Sequence, residues 1–221
     1  MAEYYPLALD LATKEVLVVG GGAVAERKVQ SLLDAEAEVT IISPGLTSKL
    51  KRQAEEGLIS YEDRVYQSSD IDGKFLVIGA TDDSEVNEQI AKDALACNLL
   101  VNVVDQPELS NFNVPAVIRE GSLCLSISTD GKSPALSGRI RRELEEEFGP
   151  EYGEFLDLMG RLRSEVISKV DDIQERRSIF KELAYSEAIE YIKSEDYQKV
   201  EKLLDSILPE DINLKEVANE G

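Results

Sequence analysis

The stretch Val16-Leu-Val-Val-Gly-Gly-Gly-Ala-Val-Ala25 decides how this chain is read. Four apolar residues of strand-forming type run into three glycines, and a helical pattern starts directly behind them. Gly20, Gly22 and Ala25 make the spacing G-x-G-x-x-A, which marks a phosphate-binding turn between a strand and a helix. Gly20 suits the tight turn, and Gly22 lets backbone approach a pyrophosphate. Ala25 is small enough for close packing of helix on strand. The anion then rests on the free amides that open the helix, with Gly21, Ala23 and Val24 completing the loop. The triplet alone also fits a plain strand-to-helix turn, so its neighbours must decide.

Working outward, Val24, Ala25, Val29, Leu32 and Leu33 recur at helical spacing and predict a helix to about residue 35. Val39–Ile42 is a second β-branched run, stopped by Ser43-Pro44-Gly45. In a dinucleotide domain this strand end usually carries the acid that holds the ribose hydroxyls. Here it carries Ser43, so ribose recognition falls to Ser43, backbone groups or later loops. No arginine directly follows to suit a 2′-phosphate, which favours NAD over NADP. The pattern continues with a helix over 46–56, a strand over 59–65 and a buried strand over 75–81. Asp82-Asp83-Ser84 then caps a helix over 84–97, and a further strand covers 99–104. Strands alternating with helices predict an α/β fold, a Rossmann-type doubly wound parallel sheet. Its ligand edge gathers Gly20–Gly22, Ser43–Gly45 and the pair Thr81 and Asp82. With that context the glycine loop reads as an NAD site.

After residue 105 the pattern changes. Residues 106–115 read as a loop, and 123–128 alternate like a half-exposed strand. Ser133-Pro134 has the chemistry of a helix start, with the helix running to about Phe148 before Gly149-Pro150. Residues 151–208 are helix-forming, and the polar tail from Pro209 to Gly221 is expected to fray. The expected division is a dinucleotide domain over 1–113, a small region over 114–150 and a C-terminal all-helical region over 151–221.

Composition narrows the partners. The 221 residues carry a net charge of −20 and no histidine. That charge argues against nucleic acid and anionic membranes. No apolar run approaches the ~20 residues of a membrane span. The first residues lack a basic stretch followed by an apolar one, so no secretion signal is read there. The absence of histidine removes histidine bases and His-ligated metals, and no metal site is assigned. Cys97 and Cys124 lack C-x-x-C spacing and predict two buried, reduced thiols in a cytoplasmic protein.

Several segments, taken in order, resemble one family. These are Gly20-Gly-Gly-Ala-Val-Ala-Glu-Arg-Lys28, Ala80-Thr-Asp-Asp83, Asn102-Val-Val-Asp-Gln-Pro-Glu-Leu-Ser-Asn-Phe112 with Pro115, Ser126–Leu136, Ile140-Arg-Arg142, and Glu175-Arg-Arg177 with Phe180. The chain resembles the precorrin-2 dehydrogenases, also met as the N-terminal part of siroheme synthases. That resemblance implies NAD-dependent oxidation of precorrin-2 to sirohydrochlorin by a homodimer, with residues 114–150 as a dimerisation region. Some members also insert Fe²⁺ into the product.

The family's important aspartate falls on Asp105, at the end of a sheet strand, where a carboxylate can take a proton. Asp before Gln-Pro is equally good turn chemistry. Asn102 and Asn111 are candidates for substrate contact or for loop structure. The polycarboxylate substrate needs local donors in so acidic a chain, and Ser128, Thr129 and Ser133 beside a helix start suit it. Arg119, Arg139, Arg141 and Arg142 add charge, unless they pair with the glutamates of 143–147. Ser110 stands where many members have cysteine. Without nitrogen ligands, metal insertion is expected to be weak or absent. Two alternatives stay open: a dehydrogenase that also inserts metal, and a nucleotide-sensing module without catalysis.

Overall fold

The computed structural model describes residues 4–210 and 212. The chain folds as two compact units, residues 1–114 and 115–221. The first holds β1 (Glu15–Val19), α1 (Ala23–Leu33), β2 (Glu38–Ile42), α2 (Ser48–Glu55), β3 (Ser60–Glu62), β4 (Leu76–Gly79), α3 (Ser84–Ala96) and β5 (Leu100–Val103). All five strands are parallel, in the order β3-β2-β1-β4-β5.

The central strand shows why an unbroken apolar run was needed. Val16 and Val18 point into a core with Ala25, Val29, Leu32 and Leu50, on the side of α1 and α2. Leu17 and Val19 point into a second core with Ile90, Ala91 and Ala94 of α3. A strand covered on both faces has no polar side to alternate with. Thr47 caps α2, its hydroxyl accepting from Leu50 N at 3.3 Å and donating to Glu26 of α1 at 2.5 Å. Asp83 caps α3, accepting from the amides of Glu85 and Val86 at 3.0 and 3.2 Å.

The reordering of the sheet at β1 makes a crevice, and two glycines allow it. Gly20 has φ +116°, and a Cβ there would lie 2.2 Å from Ala80 O. A Cβ on Gly21 would lie 2.0 Å from Gly45 O and 2.8 Å from Leu46 Cδ2. The loop after β1 is therefore wedged between the loops after β4 and β2. Gly22 has only open space beside it.

The second unit holds the antiparallel hairpin β6 (Ala116–Glu120) and β7 (Leu123–Ile127), then α4 (Pro134–Glu147), α5 (Pro150–Lys169), α6 (Ile173–Ala184), α7 (Ala188–Lys193) and α8 (Tyr197–Ile207). Ser133 caps α4 with Pro134 at its first position, as expected. The stretch 151–208 is interrupted by new caps, Asp172 before α6 and Asp196 before α8. Its core includes Phe155, Leu162, Val166, Leu183, Ile192 and Leu204. Leu208 and Ile212 are buried in that same core, so fraying does not begin at Pro209. Residues 211 and 213–221 of the expected frayed tail lie outside the described residues.

The strand Ala116–Glu120 falls where the sequence reading assigns no element. One further expectation is corrected. Both cysteines are exposed rather than buried: Cys97 ends α3, and Cys124 alternates outward on β7 opposite Arg119. Among the described residues, no helix is long and apolar enough to cross a membrane.

Replacing Gly21 with alanine forces backbone apart where no side chain can yield. Destabilisation of about 2–3 kcal/mol is expected, read as a fall in the midpoint of urea unfolding with unchanged slope.

Candidate active site

The wedge leaves a cleft of about 680 Å³ over the carboxyl ends of β1, β2 and β4. Gly20, Gly21, Gly22, Ala23, Val24, Ser43, Pro44, Gly45, Thr81 and Asp82 all line it. These are the ten positions the sequence assigns to a dinucleotide. Gly22 is the N-cap of α1 in an extended conformation, and no side chain caps the helix. The first amides of α1 are thus offered to the cleft, with the positive end of the helix dipole behind them. A free helix start beside a glycine with no Cβ in the way fits a pyrophosphate. These residues fit NAD.

The side chains around this cradle are spent on holding it. Ser43 Oγ donates to Gly45 O at 2.8 Å and is 8% exposed, so it closes its own turn. Thr81 Oγ1 contacts Asp83 O at 3.0 Å and Asn87 Oδ1 at 3.1 Å, while Asn87 Nδ2 donates back to Thr81 O at 3.0 Å. Asn87 is buried, and it fixes the end of β4 from α3.

Sequence reasoning missed Arg64, Val65 and Tyr66, which also line the cleft. No arginine directly follows β2 in the chain, yet one arrives there from the end of β3. Parallel pairing sets Glu62 beside Ile42, and Ser43 N donates to Glu62 O at 3.2 Å. Asp70 grips Arg64 bidentately at 2.7 and 2.8 Å. Burial alone would raise the Asp70 pKa, but the Arg64 and Gln67 hydrogen bonds outweigh it and hold the carboxyl below its ordinary value.

Asp105, Asn102 and Asn111 do not line this cleft. They belong to the adjoining strand end. Val104 N donates to Gly79 O at 2.9 Å, which ties the end of β5 to that of β4, and Asp105 follows. Asp105 is exposed, with φ +60°, in a turn closed by Gln106 N on Val103 O at 3.2 Å. Aspartate tolerates the left-handed region better than most residues. Asn111 substitutes for a neighbouring strand at the sheet edge: Oδ1 accepts from Val101 N at 2.8 Å, and Nδ2 donates to Leu99 O at 2.7 Å. Ser110 Oγ accepts from Val103 N at 2.9 Å in the same manner. Asn102 Nδ2 donates to Phe112 O at 3.1 Å.

Lys28 is a second residue the sequence reading passed over. On α1, Glu26 and Gln30 face α2 through Thr47 and Gln53, which turns Lys28 to the opposite flank. Among the described residues it has no hydrogen-bond or ion-pair partner. Burial first, then the charge of Arg27, pulls its pKa down, and the charge of Asp105 opposes both.

In the second unit, Ser128 Oγ accepts from Asp130 N at 3.1 Å. Thr129 Oγ1 accepts from Ser133 N at 3.1 Å and meets Ser137 Oγ at 3.1 Å. Ser133 Oγ accepts from Leu136 N at 3.3 Å as the helix cap. Arg139 and Arg141 pair with Glu143 and Glu145 at 3.2 and 2.7 Å, whereas Arg119 and Arg142 have no ion pair among the described residues.

A parallel sheet with a glycine loop, a free helix start and a cleft at its reordering point defines a dinucleotide-binding protein of the Rossmann class. Comparison with known proteins narrows that class. An NAD(P)-binding family model matches residues 7–116. "Sirohaem biosynthesis protein central" matches 120–147, and "Sirohaem synthase dimerisation region" matches 151–208. The chain belongs to the siroheme synthase and precorrin-2 dehydrogenase family. Siroheme synthase 1 of Aeromonas salmonicida is 34% identical over 96% of this chain and 46% of its own length. Siroheme synthase 1 of Aeromonas hydrophila is 39% identical over 79% of this chain and 38% of its own. The chain thus spans less than half the length of these curated relatives. The solved structure of SirC, precorrin-2 dehydrogenase, superimposes with TM-score 0.76 at 26% identity, covering 90% of this chain and all of SirC.

Gly22→Val separates binding from folding. Its Cβ enters open space, so the loss of stability should stay near the ~1 kcal/mol of a poorer N-cap and leave the fold intact. NAD⁺ affinity should fall at least tenfold by calorimetric titration.

Proposed function

We propose that this chain is an NAD-dependent dehydrogenase that oxidises precorrin-2 to sirohydrochlorin in siroheme biosynthesis. The observation that carries the reading is the pairing of strand ends: the cradle fitted to a dinucleotide lies after β1 and β4, and β5, hydrogen-bonded to β4, delivers an exposed carboxylate beside it. Homology to a dehydrogenase of that substrate supplies the chemistry.

Loss of two hydrogens from a reduced macrocycle needs a hydride acceptor and a proton acceptor. NAD⁺, held by Gly20–Val24, Ser43–Gly45, Thr81 and Asp82, supplies the first when bound. Asp105 is the second, taking the proton on its carboxylate. Its turn is held rigid by Ser110 and Asn111 along the edge of β5, which is the positioning role we assign to Asn111. Asn102, with Oδ1 left over, contacts substrate. Lys28 contributes local positive charge for a polyanionic substrate in an acidic chain. In the second unit, the segment from Ser128 through Thr129 to Ser133, with Arg119 and Arg142, offers donors for substrate carboxylates.

The working form proposed is a cytoplasmic homodimer. The matched dimerisation region covers 151–208, so the interface is proposed to involve those helices as well as residues 114–150. Metal insertion is the second reading, favoured by the siroheme synthase relatives. Asp105 would accept pyrrole protons in it, with Fe²⁺ as substrate.

Anaerobic incubation with precorrin-2 and NAD⁺ tests the main reading: NADH and sirohydrochlorin should appear together. Absence of both sinks it and favours a sensing module. Asp105→Asn should lower kcat by about 10²–10⁴-fold, the usual range for losing a general base, with NAD⁺ affinity unchanged. Near-normal turnover would return Asp105 to the turn alone. Sirohydrochlorin with Fe²⁺ or Co²⁺, followed against the uncatalysed rate, tests metal insertion, which is expected to be slow.

A further inference from the structure

The adenosine end of a dinucleotide lies over the end of the second strand of such sheets, where an acid holds the ribose or an arginine holds a 2′-phosphate. Ser43 stands at that strand end, and its hydroxyl closes its own turn at 2.8 Å. The charged groups come from the neighbouring strand. Arg64, two residues past Glu62 at the end of β3, lines the cleft. An arginine there invites assignment as a phosphate clamp.

The hydrogen bonds argue otherwise. Arg64 Nε donates to Glu62 Oε2 at 2.7 Å, and Nη2 lies 2.5 Å from the same oxygen. Nη1 donates to Asp70 Oδ2 at 2.8 Å and to Val65 O at 3.1 Å, and Nη2 donates to Asp70 Oδ1 at 2.7 Å. Every nitrogen of the guanidinium already faces a protein oxygen. Asp70 is well anchored: its side chain is 7% exposed, and Oδ2 also accepts from Gln67 N at 2.7 Å. One cation held by two carboxylates leaves the cluster with a net negative charge. A 2′-phosphate would meet repulsion and no free donor. Glu62 and Asp70 do not themselves line the cleft, so their charge reaches it through Arg64. The guanidinium plane remains available for stacking on an aromatic base.

We propose that Glu62, Arg64 and Asp70 form the specificity element of the cofactor cleft, a neutralised arginine that walls the adenosine end and selects the dinucleotide lacking a 2′-phosphate. The proposal rests on the dinucleotide reading of the cleft.

Calorimetric titration of the whole chain with NAD⁺ and with NADP⁺, at one ionic strength, tests it. The unaltered protein should bind NAD⁺ at least tenfold more tightly. Glu62→Gln frees part of Arg64 and removes one negative charge, so the ratio should narrow at least threefold, mainly through tighter NADP⁺ binding. Glu62→Gln combined with Asp70→Asn should narrow it further, with circular dichroism checking the fold; Glu62→Gln alone carries the test if the pair unfolds. Arg64→Ala should weaken NAD⁺ several-fold. NADP⁺ binding equal to or tighter than NAD⁺, or a ratio unmoved by Glu62→Gln, overturns the proposal and leaves the dinucleotide cleft standing. Failure of both dinucleotides to bind overturns both.

Discussion

The loop after β1 leaves no room for a side chain: an added Cβ at Gly20 would strike the Ala80 backbone, and one at Gly21 the Gly45 backbone. Everything at the ligand edge depends on that wedge. It brings the ends of β1, β2 and β4 into one crevice, and it aims the first turn of α1 outward. A single Cβ at Gly20 or Gly21 would part these loops, whereas one at Gly22 would meet only the space meant for a ligand. Three consecutive glycines therefore have three different duties, two in folding and one in binding. The usual fingerprint names the first and third; here the middle glycine is the one packed against the loop that replaces the ribose acid.

The same wedge explains why so few polar side chains in the cleft are free. Ser43, Thr81 and Asp83 all bond to nearby loop or helix-start groups, and Asn87 reaches from α3 to hold the end of β4. A cradle of backbone amides needs its loops rigid, because amides cannot turn individually to meet a ligand. The hydroxyls and amides of the side chains provide that rigidity. Beside it, Asn111 and Ser110 do the equivalent for β5, satisfying an edge strand with side chains where another strand would otherwise lie. Asp105 emerges from that braced edge.

Much of the first unit was legible because its strands are buried on both faces and read as plain apolar runs. The cradle was legible because its residues are contiguous. What stayed hidden follows from contacts that the chain order does not announce. Arg64 comes to the end of β2 only through the register of β2 with β3, a strand of three residues with no apolar run of its own. Lys28 is placed by which flank of α1 faces α2, something periodicity leaves undecided. The breaks within 151–208 escaped because neither Gly nor Pro marks them, although Asp172 and Asp196 are ordinary helix caps. The cysteines misled for another reason. Their small apolar character predicts burial on average, while position on a hairpin face and at a helix end decides it locally.

A chain of net charge −20 that handles anionic ligands faces a general electrostatic difficulty. Excess lysine and arginine would be the direct answer, but here Arg64, Arg139 and Arg141 are all drawn to neighbouring carboxylates. The available attraction is concentrated instead in groups that no carboxylate is bonded to among the described residues. Backbone amides at the start of α1 cannot be titrated or paired by a side chain once Gly22 occupies the cap. Lys28 is shielded by its half-burial on a helix flank and keeps no partner among the described residues. An acidic surface then repels anions everywhere except at such sheltered points. That sharpens selection, because a ligand is admitted only where its negative groups coincide with them. On the proposed reading, a 2′-phosphate at Arg64, whose nitrogens are taken by Glu62 and Asp70, finds no such point.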